Sequence, residues 1–360
     1  MTDFLNQLSY THHKTLDKEL PTVIFGAGGY AKDLADVLYS EGYNVAACVE
    51  SNPTKETLSR FPVVSWNQLK VENAQLVMGI YNQKFSYTHL LKEADDNGYT
   101  DVFMPWDTYS QFSKQLGWRY WLSPKGFYND NVDNIQLLLD LLADDISRDC
   151  VENTLLFRLG LNNEFAEFAH DEHHYFNDLM MSKFNGRPVS FVDGGAYTGD
   201  SYEELLEVSD VSVAYLFEPD VKNFERMATN VKGNAICLPL AISDKYQILT
   251  FSGNAGPSSS VSDYGNIHIS TVSLDQMFPT QDIDIIKFDI EGSEAAAING
   301  AKNLINRVRP VLTMALYHKP GDIWELPLLV NSLVGNYKFY IRQHDHNSFE
   351  SVLYAIPGDL

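Results

Sequence analysis

The chain is short of cysteine and of positive charge. Cys48, Cys150 and Cys237 are the only 3 cysteines in 360 residues, far apart and with no C-x-x-C pair. That pattern excludes a disulfide framework and a cysteine-based zinc site, and it fits structural thiols in a reducing cytoplasm. No stretch approaches the ~20 apolar residues that cross a bilayer. The opening run MTDFLNQLSYTHHK has no basic segment followed by an apolar one, so it does not read as a secretory signal. Lys and Arg total 26 against 48 Asp and Glu, a formal net charge of −22. Such a charge repels phosphate backbones and anionic membrane surfaces, and no Lys/Arg cluster offsets it locally. Nucleic acid and membrane are therefore not expected as partners; small molecules or neutral glycans are.

What the chain does have is apolar residues at 44% and aromatics at 12%, enough for well-filled cores, and a length that suits two domains. The most informative run is FVDGGAYTGDS, from Phe191 to Ser201. It reads as a buried strand ending in an acid, a glycine-rich turn, and the start of a helix. Gly195 and Gly199 stand where a backbone turns sharply and lets a ligand approach without a Cβ in the way. The next strand, Val213 to Phe217, ends at Glu218-Pro219, and Glu218 lies 25 positions after Asp193. An acid at the tip of the second strand of a βαβ unit holds ribose hydroxyls. Asp193 and Asp200 bracket the turn and would oppose a pyrophosphate. They suit a cationic or zwitterionic ligand such as S-adenosylmethionine. The candidate cofactor contacts are Asp193, Gly194, Gly195, Ala196, Tyr197, Gly199, Asp200, Glu218 and Pro219.

A second turn of this kind stands near the N-terminus. Thr22 to Phe25 is a short strand-like run leading into GAGGYAKDLADVL, where Gly26, Gly28 and Ala31 fit the G-x-G-x-x-G/A pattern. After the helix, Asn44 to Val49 reads as a strand ending at Glu50. Further strands are expected at Gln75–Ile80 and Asp101–Met104, with a helix at Tyr87–Asn97, an alternation that means a parallel sheet. Gly26, Gly28, Gly29, Ala31 and Glu50 form a candidate second nucleotide site; a module kept for packing or assembly explains the same residues. The turn resembles the start of the N-terminal domain of PglD-type sugar O-acyltransferases.

The expected organisation is α/β, with two doubly wound Rossmann-like domains at 1–130 and 186–360. A helical bridge joins them at 131–185, carried by apolar spacing at Ile135–Leu142 and Asn153–Phe168. The bridge contains HDEHHYFND, His170 to Asp178. Its histidines and acids fit no compact zinc template, and a polar helix end or substrate rim is the preferred reading. No metal is expected in the chain.

From about Glu172 onward the chain resembles the FkbM-type methyltransferases. The resemblance rests on DEHHYF (Asp171–Phe176), VDGGAYTGDS (Val192–Ser201), FEPD (Phe217–Asp220), LAISD (Leu240–Asp244) and VSLD (Val272–Asp275). It continues through IKFDIEGSE (Ile286–Glu294), YHKPGDIWELP (Tyr317–Pro327) and SVLYAIP (Ser351–Pro357). It implies a class I, S-adenosylmethionine-dependent methyltransferase fold acting on a hydroxyl of a sugar or natural product.

Read residue by residue, the same blocks place further candidates at the carboxyl edge of the sheet, where open α/β sheets bind ligands. Ala241, Ile242 and Ser243 follow an apolar strand and would lie beside the cofactor. GNAGPSSSVSDYGN, residues 253–266, reads as a hairpin excursion that folds over the site as a lid. Asp289 ends the strand Asp284–Phe288 and faces the methyl donor or acceptor. Glu291 and Glu294 then cap the helix and pair with basic neighbours, with a Mg²⁺ site as the alternative. Alternation is taken to place Lys287 opposite Phe288 and Asp289, where burial would demand Glu291 or Asp193 as partner. His318, at the end of the strand Val311–Leu316, is the candidate general base, with His344 and His346 weaker versions of it. Two rival readings stand beside the methyltransferase: an NAD-dependent sugar-nucleotide oxidoreductase or epimerase, and a non-catalytic nucleotide-sugar sensor.

Overall fold

The run TVIF becomes a fully buried strand, β1 (Thr22–Phe25), in the computed structural model, which describes residues 2–9, 13–162, 173–252, 260–261 and 267–358. β2 (Val45–Glu50) and β5 (Gln75–Met78) flank it in parallel. β4 (Phe61–Ser65) adds in parallel to β2, and β6 (Val102–Phe103) to β5. A short antiparallel strand, β3 (Thr57–Leu58), closes the edge beside β4. The order β3-β4-β2-β1-β5-β6 is the doubly wound order 3-2-1-4-5 plus that edge strand. The helix Gly29–Ser40 buries Ala31, Leu34, Ala35 and Leu38, the helical spacing that seats it on the sheet. The expected strands and the helix Tyr87–Asp96 are present. The β3–β4 hairpin was not expected, because Pro62 breaks the strand pattern; it is tolerated where Pro62 faces solvent.

In the second sheet β7 (Val189–Gly194) pairs in parallel with β8 (Val211–Phe217) and with β14 (Ile285–Phe288). β9 (Ala235–Leu238) extends it beyond β8, and β15 (Val311–Ala315) beyond β14. β17 (Ser351–Pro357) then runs antiparallel to β15 and to β16 (Tyr337–Gln343). Numbered in their own order, these strands read 3-2-1-4-5-7-6, the dinucleotide-fold order with a reversed strand inserted before the last. β7, β14, β15 and β17 are buried along their whole length, which is why they read as continuous apolar runs. A smaller sheet carries β10 (Ala241–Ile242), β11 (Ile248–Ser252), β12 (Ser260–Val261) and β13 (Ile267–Val272). β11 and β13 pair antiparallel as the hairpin reading requires. Most of the expected lid, 253–259 and 262–266, lies outside the described residues.

The chain divides into two compact units differently from the expected bridge. The first comprises Met1–Gln136, Val151–Phe168 and Asp345–Phe349; the second comprises Leu137–Cys150, Ala169–His344 and Glu350–Leu360. Helices at Val132–Leu141 and Asp145–Arg158 are present, and the division passes through both. Their attachments explain it. Ala143 N–H donates to Phe339 O (2.9 Å), Ile341 N–H to Ser147 Oγ (3.0 Å), and Arg342 to Asp144 (2.7 Å), so Leu137–Cys150 docks on the edge strand β16. In the first unit Arg158 Nε donates to Ser348 Oγ (2.7 Å), and Asn347 Nδ2 to Asn82 O and Phe85 O (2.7 Å each). The helix expected over Asn153–Phe168 ends at Arg158, and 163–172, including His170, lie outside the described residues. Among the described residues no helix is long and apolar enough to cross a membrane.

Candidate active site

The glycine turn after β7 is shaped by its neighbours in the protein. Gly195 has φ +80°, and a Cβ there would stand 1.9 Å from the Asp289 carbonyl oxygen. Gly199 has φ +92°, and its Cβ would meet Val231 Cγ2 at 2.4 Å. Both glycines are therefore required by backbone conformation and by packing, which corrects the reading that they clear space for a ligand. Gly194 is hemmed in too, with Ile242 Cδ1 3.0 Å from its Cβ position, and this is how β10 reaches the turn. Ser243 N–H donates to Val272 O, tying the same segment to β13.

Glu218 holds the turn together. Its Oε2 accepts from Tyr197 N–H (3.0 Å) and its Oε1 from Asp220 N–H (2.7 Å). The first of these bonds pins Tyr197, a non-glycine residue at φ +46°. Burial pushes the Glu218 carboxyl up to about 7, against the pull of the two backbone donors. Each carboxylate oxygen has a second lone pair to offer. Pro219 follows, half-buried. Asp200 is exposed in the first turn of the helix Asp200–Val208, where its charge suits the helix dipole, and its Oδ1 accepts from Ser201 N–H.

Behind the turn lies a buried ion pair. Lys287 Nζ is 2.9 Å from Asp193 Oδ1 and 3.1 Å from Gly195 O, and it sits 4.8 Å from the centre of the Tyr175 ring. Burial disfavours charge on this lysine, but Asp193 and Asp289 outweigh it and raise its pKa. Burial raises the Asp193 carboxyl, with Lys287 opposing. Asp193 Oδ2 is buried and makes no hydrogen bond among the described residues. Of the two expected partners the lysine takes Asp193. The expected placing of Asp289 on the opposite face is corrected: Tyr175, whose ring covers Lys287, donates its hydroxyl to Asp289 Oδ2 at 2.9 Å. Residues two apart on a strand share a face, and the chain keeps that relation just past the end of β14.

At the tip of β14 three carboxylates surround His318, which is fully buried. Glu294 Oε1 lies 2.8 Å from its Nδ1, while Asp289 Oδ1 and Glu291 Oε2 lie 3.3 and 3.7 Å from its Nε2. Burial works against the charged ring, yet Glu294, Glu291 and Asp289 together push its pKa up to about 10. At neutral pH His318 is an imidazolium with both nitrogens protonated, so it cannot be the general base expected from its position at the end of β15. Glu294 does cap the turn as expected, its Oε1 accepting from Ile290 N–H (3.0 Å) and Gly292 N–H (3.3 Å). Among the described residues no group of three or more His, Cys, Asp or Glu is placed to hold a metal ion.

Side chains that sequence reasoning did not single out complete the site. Tyr317 O–H donates to Glu350 Oε1 (3.0 Å), and His174 Nε2 is 3.4 Å from Glu350 Oε2. Burial lowers the His174 pKa to about 3, so it is neutral. His173 stands 3.6 Å from Glu204. His344 Nε2 is hydrogen-bonded to Tyr354 O–H at 2.7 Å, and His346 belongs to the first unit. Tyr175 lay inside a run noted in the sequence, and Glu350 gave no local signal.

In the first unit the residues of the N-terminal turn part company. Gly26 (φ +111°) is packed, its Cβ position 2.6 Å from Ile80 Cγ1, and Ala31 is buried beneath the helix. Gly28 and Gly29 have nothing within 4 Å of a Cβ. Glu50 Oε1 accepts from Ala27 N–H (3.1 Å), and Lys55 Nζ donates to Ala27 O (2.5 Å).

Residues 193–349 match the family model of the methyltransferase FkbM domain. The matched segment contains Asp193, Glu218, Lys287, Asp289, Glu291 and His318. A solved methyltransferase FkbM from Methylobacillus flagellatus KT is similar with a TM-score of 0.71 at 19% identity, covering 93% of this chain and 89% of that one. At that identity the likeness speaks for the fold, and its coverage takes in the first unit as well as the FkbM-matched segment. Trm1 from Pyrococcus horikoshii, solved with S-adenosyl-L-methionine, gives a TM-score of 0.29 at 14% identity over 53% of this chain and 59% of that one. That is too loose to argue from. The comparison with curated proteins gives no match. Nothing in these comparisons supports the likeness of the first unit to PglD-type acyltransferases.

Proposed function

We propose that this protein is an S-adenosylmethionine-dependent methyltransferase that methylates a hydroxyl of a sugar, glycan or natural product in the cytoplasm. The observation that carries the reading is the paired state of Asp193 and Glu218. Asp193 keeps one buried oxygen without a hydrogen-bond partner among the described residues, and each Glu218 oxygen accepts a single bond from the backbone. Glu218 would hold the ribose diol, and Asp193 Oδ2 would answer a donor or positive charge on the methionine part of the cofactor. When bound, the cofactor supplies a sulfonium methyl to a nucleophile. The chain's own part is to orient and to exclude water: Tyr175, Tyr317 and the Lys287–Asp193 pair wall the region behind Asp289. The acids Asp289, Glu291 and Glu350 at this edge favour a neutral acceptor over a phosphorylated one. The free cysteines Cys48, Cys150 and Cys237 suit a reducing compartment.

Mass spectrometry of the purified protein for co-bound S-adenosylhomocysteine or NAD separates this reading from an oxidoreductase. By calorimetry, Glu218→Gln should weaken S-adenosylhomocysteine binding roughly 10- to 150-fold, the range for losing a hydrogen bond to a charged group. Bound NAD, or unchanged affinity in the variant, would defeat the assignment.

A further inference from the structure

Methylating a hydroxyl requires a group that accepts the hydroxyl proton, and His318 already carries its full complement. Three carboxylates remain at the tip of β14, and they are not equivalent. Glu294 is buried, and its Oε1 takes Ile290 N–H, Gly292 N–H and His318 Nδ1. Its Oε2 is buried and makes no hydrogen bond among the described residues, but with the side chain 1% exposed and Oε1 committed three times it serves as a structural brace. Asp289 accepts the Tyr175 hydroxyl on Oδ2, and its Oδ1 lies against His318 Nε2 at 3.3 Å. Glu291 differs from Glu294 in being 18% rather than 1% exposed, and from Asp289 in having no hydrogen bond such as the one Tyr175 donates. Its Oε2 is buried and makes no hydrogen bond among the described residues, with His318 Nε2 beyond bonding reach at 3.7 Å.

The backbone holds Glu291 in this state deliberately. It has φ +53°, in the left-handed region that a residue with a Cβ occupies under strain, and Gly292 follows at φ +90°. The Glu294 brace bonds to the residues on either side, Ile290 and Gly292, and so fixes the peptide that carries the glutamate. Strained, over-determined residues of this kind cluster at reactive sites.

We infer that Glu291 is the group that takes the proton from the acceptor hydroxyl, an assignment that rests on the methyltransferase reading above. The acceptor oxygen forms a bond to the methyl carbon as the carbon–sulfur bond breaks. The electron pair of that bond stays on sulfur, which becomes a neutral thioether. The hydroxyl proton passes to the Glu291 carboxylate and from there to water. Positive His318 and negative Asp289 and Glu294 are the charges that face Glu291. Burial pushes its carboxyl up to about 7, with His318 opposing and the two acids assisting. A base that is half ionised near neutrality is well matched to this task.

The test needs no knowledge of the acceptor. Sinefungin carries an amine-bearing carbon where the donor carries its sulfonium methyl, whereas S-adenosylhomocysteine carries nothing there. Calorimetry on the full chain from pH 5.5 to 9 should show sinefungin preferred over S-adenosylhomocysteine by about tenfold above pH 7, with the preference fading below it. Glu291→Gln should abolish the preference and its pH dependence while holding S-adenosylhomocysteine affinity within about twofold, which also shows that the variant is folded. Glu291→Asp, which keeps the charge, should restore part of the preference. A preference unchanged in Glu291→Gln, or lost no less in Asp289→Asn, would overturn the assignment. A wild-type protein that binds neither compound would overturn the cofactor reading itself.

Discussion

Replacing Lys287 by methionine should be among the most damaging single changes in the second unit. The lysine is 1% exposed and its partner Asp193 fully buried, with the Nζ–Oδ1 distance at 2.9 Å. Removing one member of a buried pair leaves the other charge without compensation, a loss of about 3–5 kcal/mol. The Gly195 carbonyl loses a donor in the same step. For a domain of this size each kcal/mol shifts Tm by roughly 2–4 °C, so the transition should fall by about 6–20 °C. The double variant Asp193→Leu/Lys287→Met removes both charges and should lie within about 2 kcal/mol of wild type, because no buried charge is left uncompensated and only the Gly195 carbonyl goes without its donor. The pH dependence gives an independent check. Without Lys287 the folded-state pKa of Asp193 rises further above its unfolded value, so the fold binds more protons than the unfolded chain. Stability is then lost as pH rises, and the deficit should be larger at pH 8 than at pH 5. Scanning calorimetry at both values reads this directly. A deficit below about 1 kcal/mol at pH 8, or a double variant no better than the single one, would refute the reasoning.

Two further outcomes are expected. His318 is held at a pKa of about 10 against an ordinary 6.5, so its contribution is complete below that ordinary value and disappears as pH rises toward 10. Urea midpoints at pH 6, 8 and 9.5 should therefore decline in wild type and stay flatter in His318→Gln, and parallel slopes would mean the ring is neutral. In the first unit Gly28 has φ −78° and an open face, so Gly28→Val should fold normally. If the turn cradles a phosphate, NAD or a UDP- or GDP-sugar should raise the Tm of the full chain and Gly28→Val should cancel the shift; no shift in wild type leaves the turn a packing element.

The parts of the fold that could be read from the sequence are those where local pattern and burial agree. TVIF and SFVDGG are buried on both faces and announce themselves as apolar runs before glycines. The β3–β4 hairpin contradicts its local pattern at Pro62, and only pairing with β2 makes it a strand. The division into units escaped because it depends on contacts such as Ala143 with Phe339, which no spacing rule links. In the site, Asp193 and Glu218 are legible because each ends a strand. The need of Lys287 for an acid is legible from its burial. The charge of His318 is not, since the carboxylates that impose it come from the neighbouring strand's turn. Tyr175 reaches Asp289 across 114 positions. The glycines were found for the wrong reason, because what they approach is protein.

Glu218 grips Tyr197 N–H, and Glu50 grips Ala27 N–H, in two turns whose glycines are differently spaced. In each unit the acid that ends the second strand acts as a latch on the loop after the first, so the loop has its working shape before anything arrives. An arriving ligand then meets a surface that needs no rearrangement, and less of its binding free energy is lost to ordering the loop. The same latch complicates any reading of a substitution at either acid: the loop relaxes when the carboxylate goes, and weaker binding then reports lost shape together with lost contact. Glu218→Gln does not escape this, since its amide offers one oxygen to two backbone donors, Tyr197 N–H and Asp220 N–H, and one bond of the latch goes with the charge.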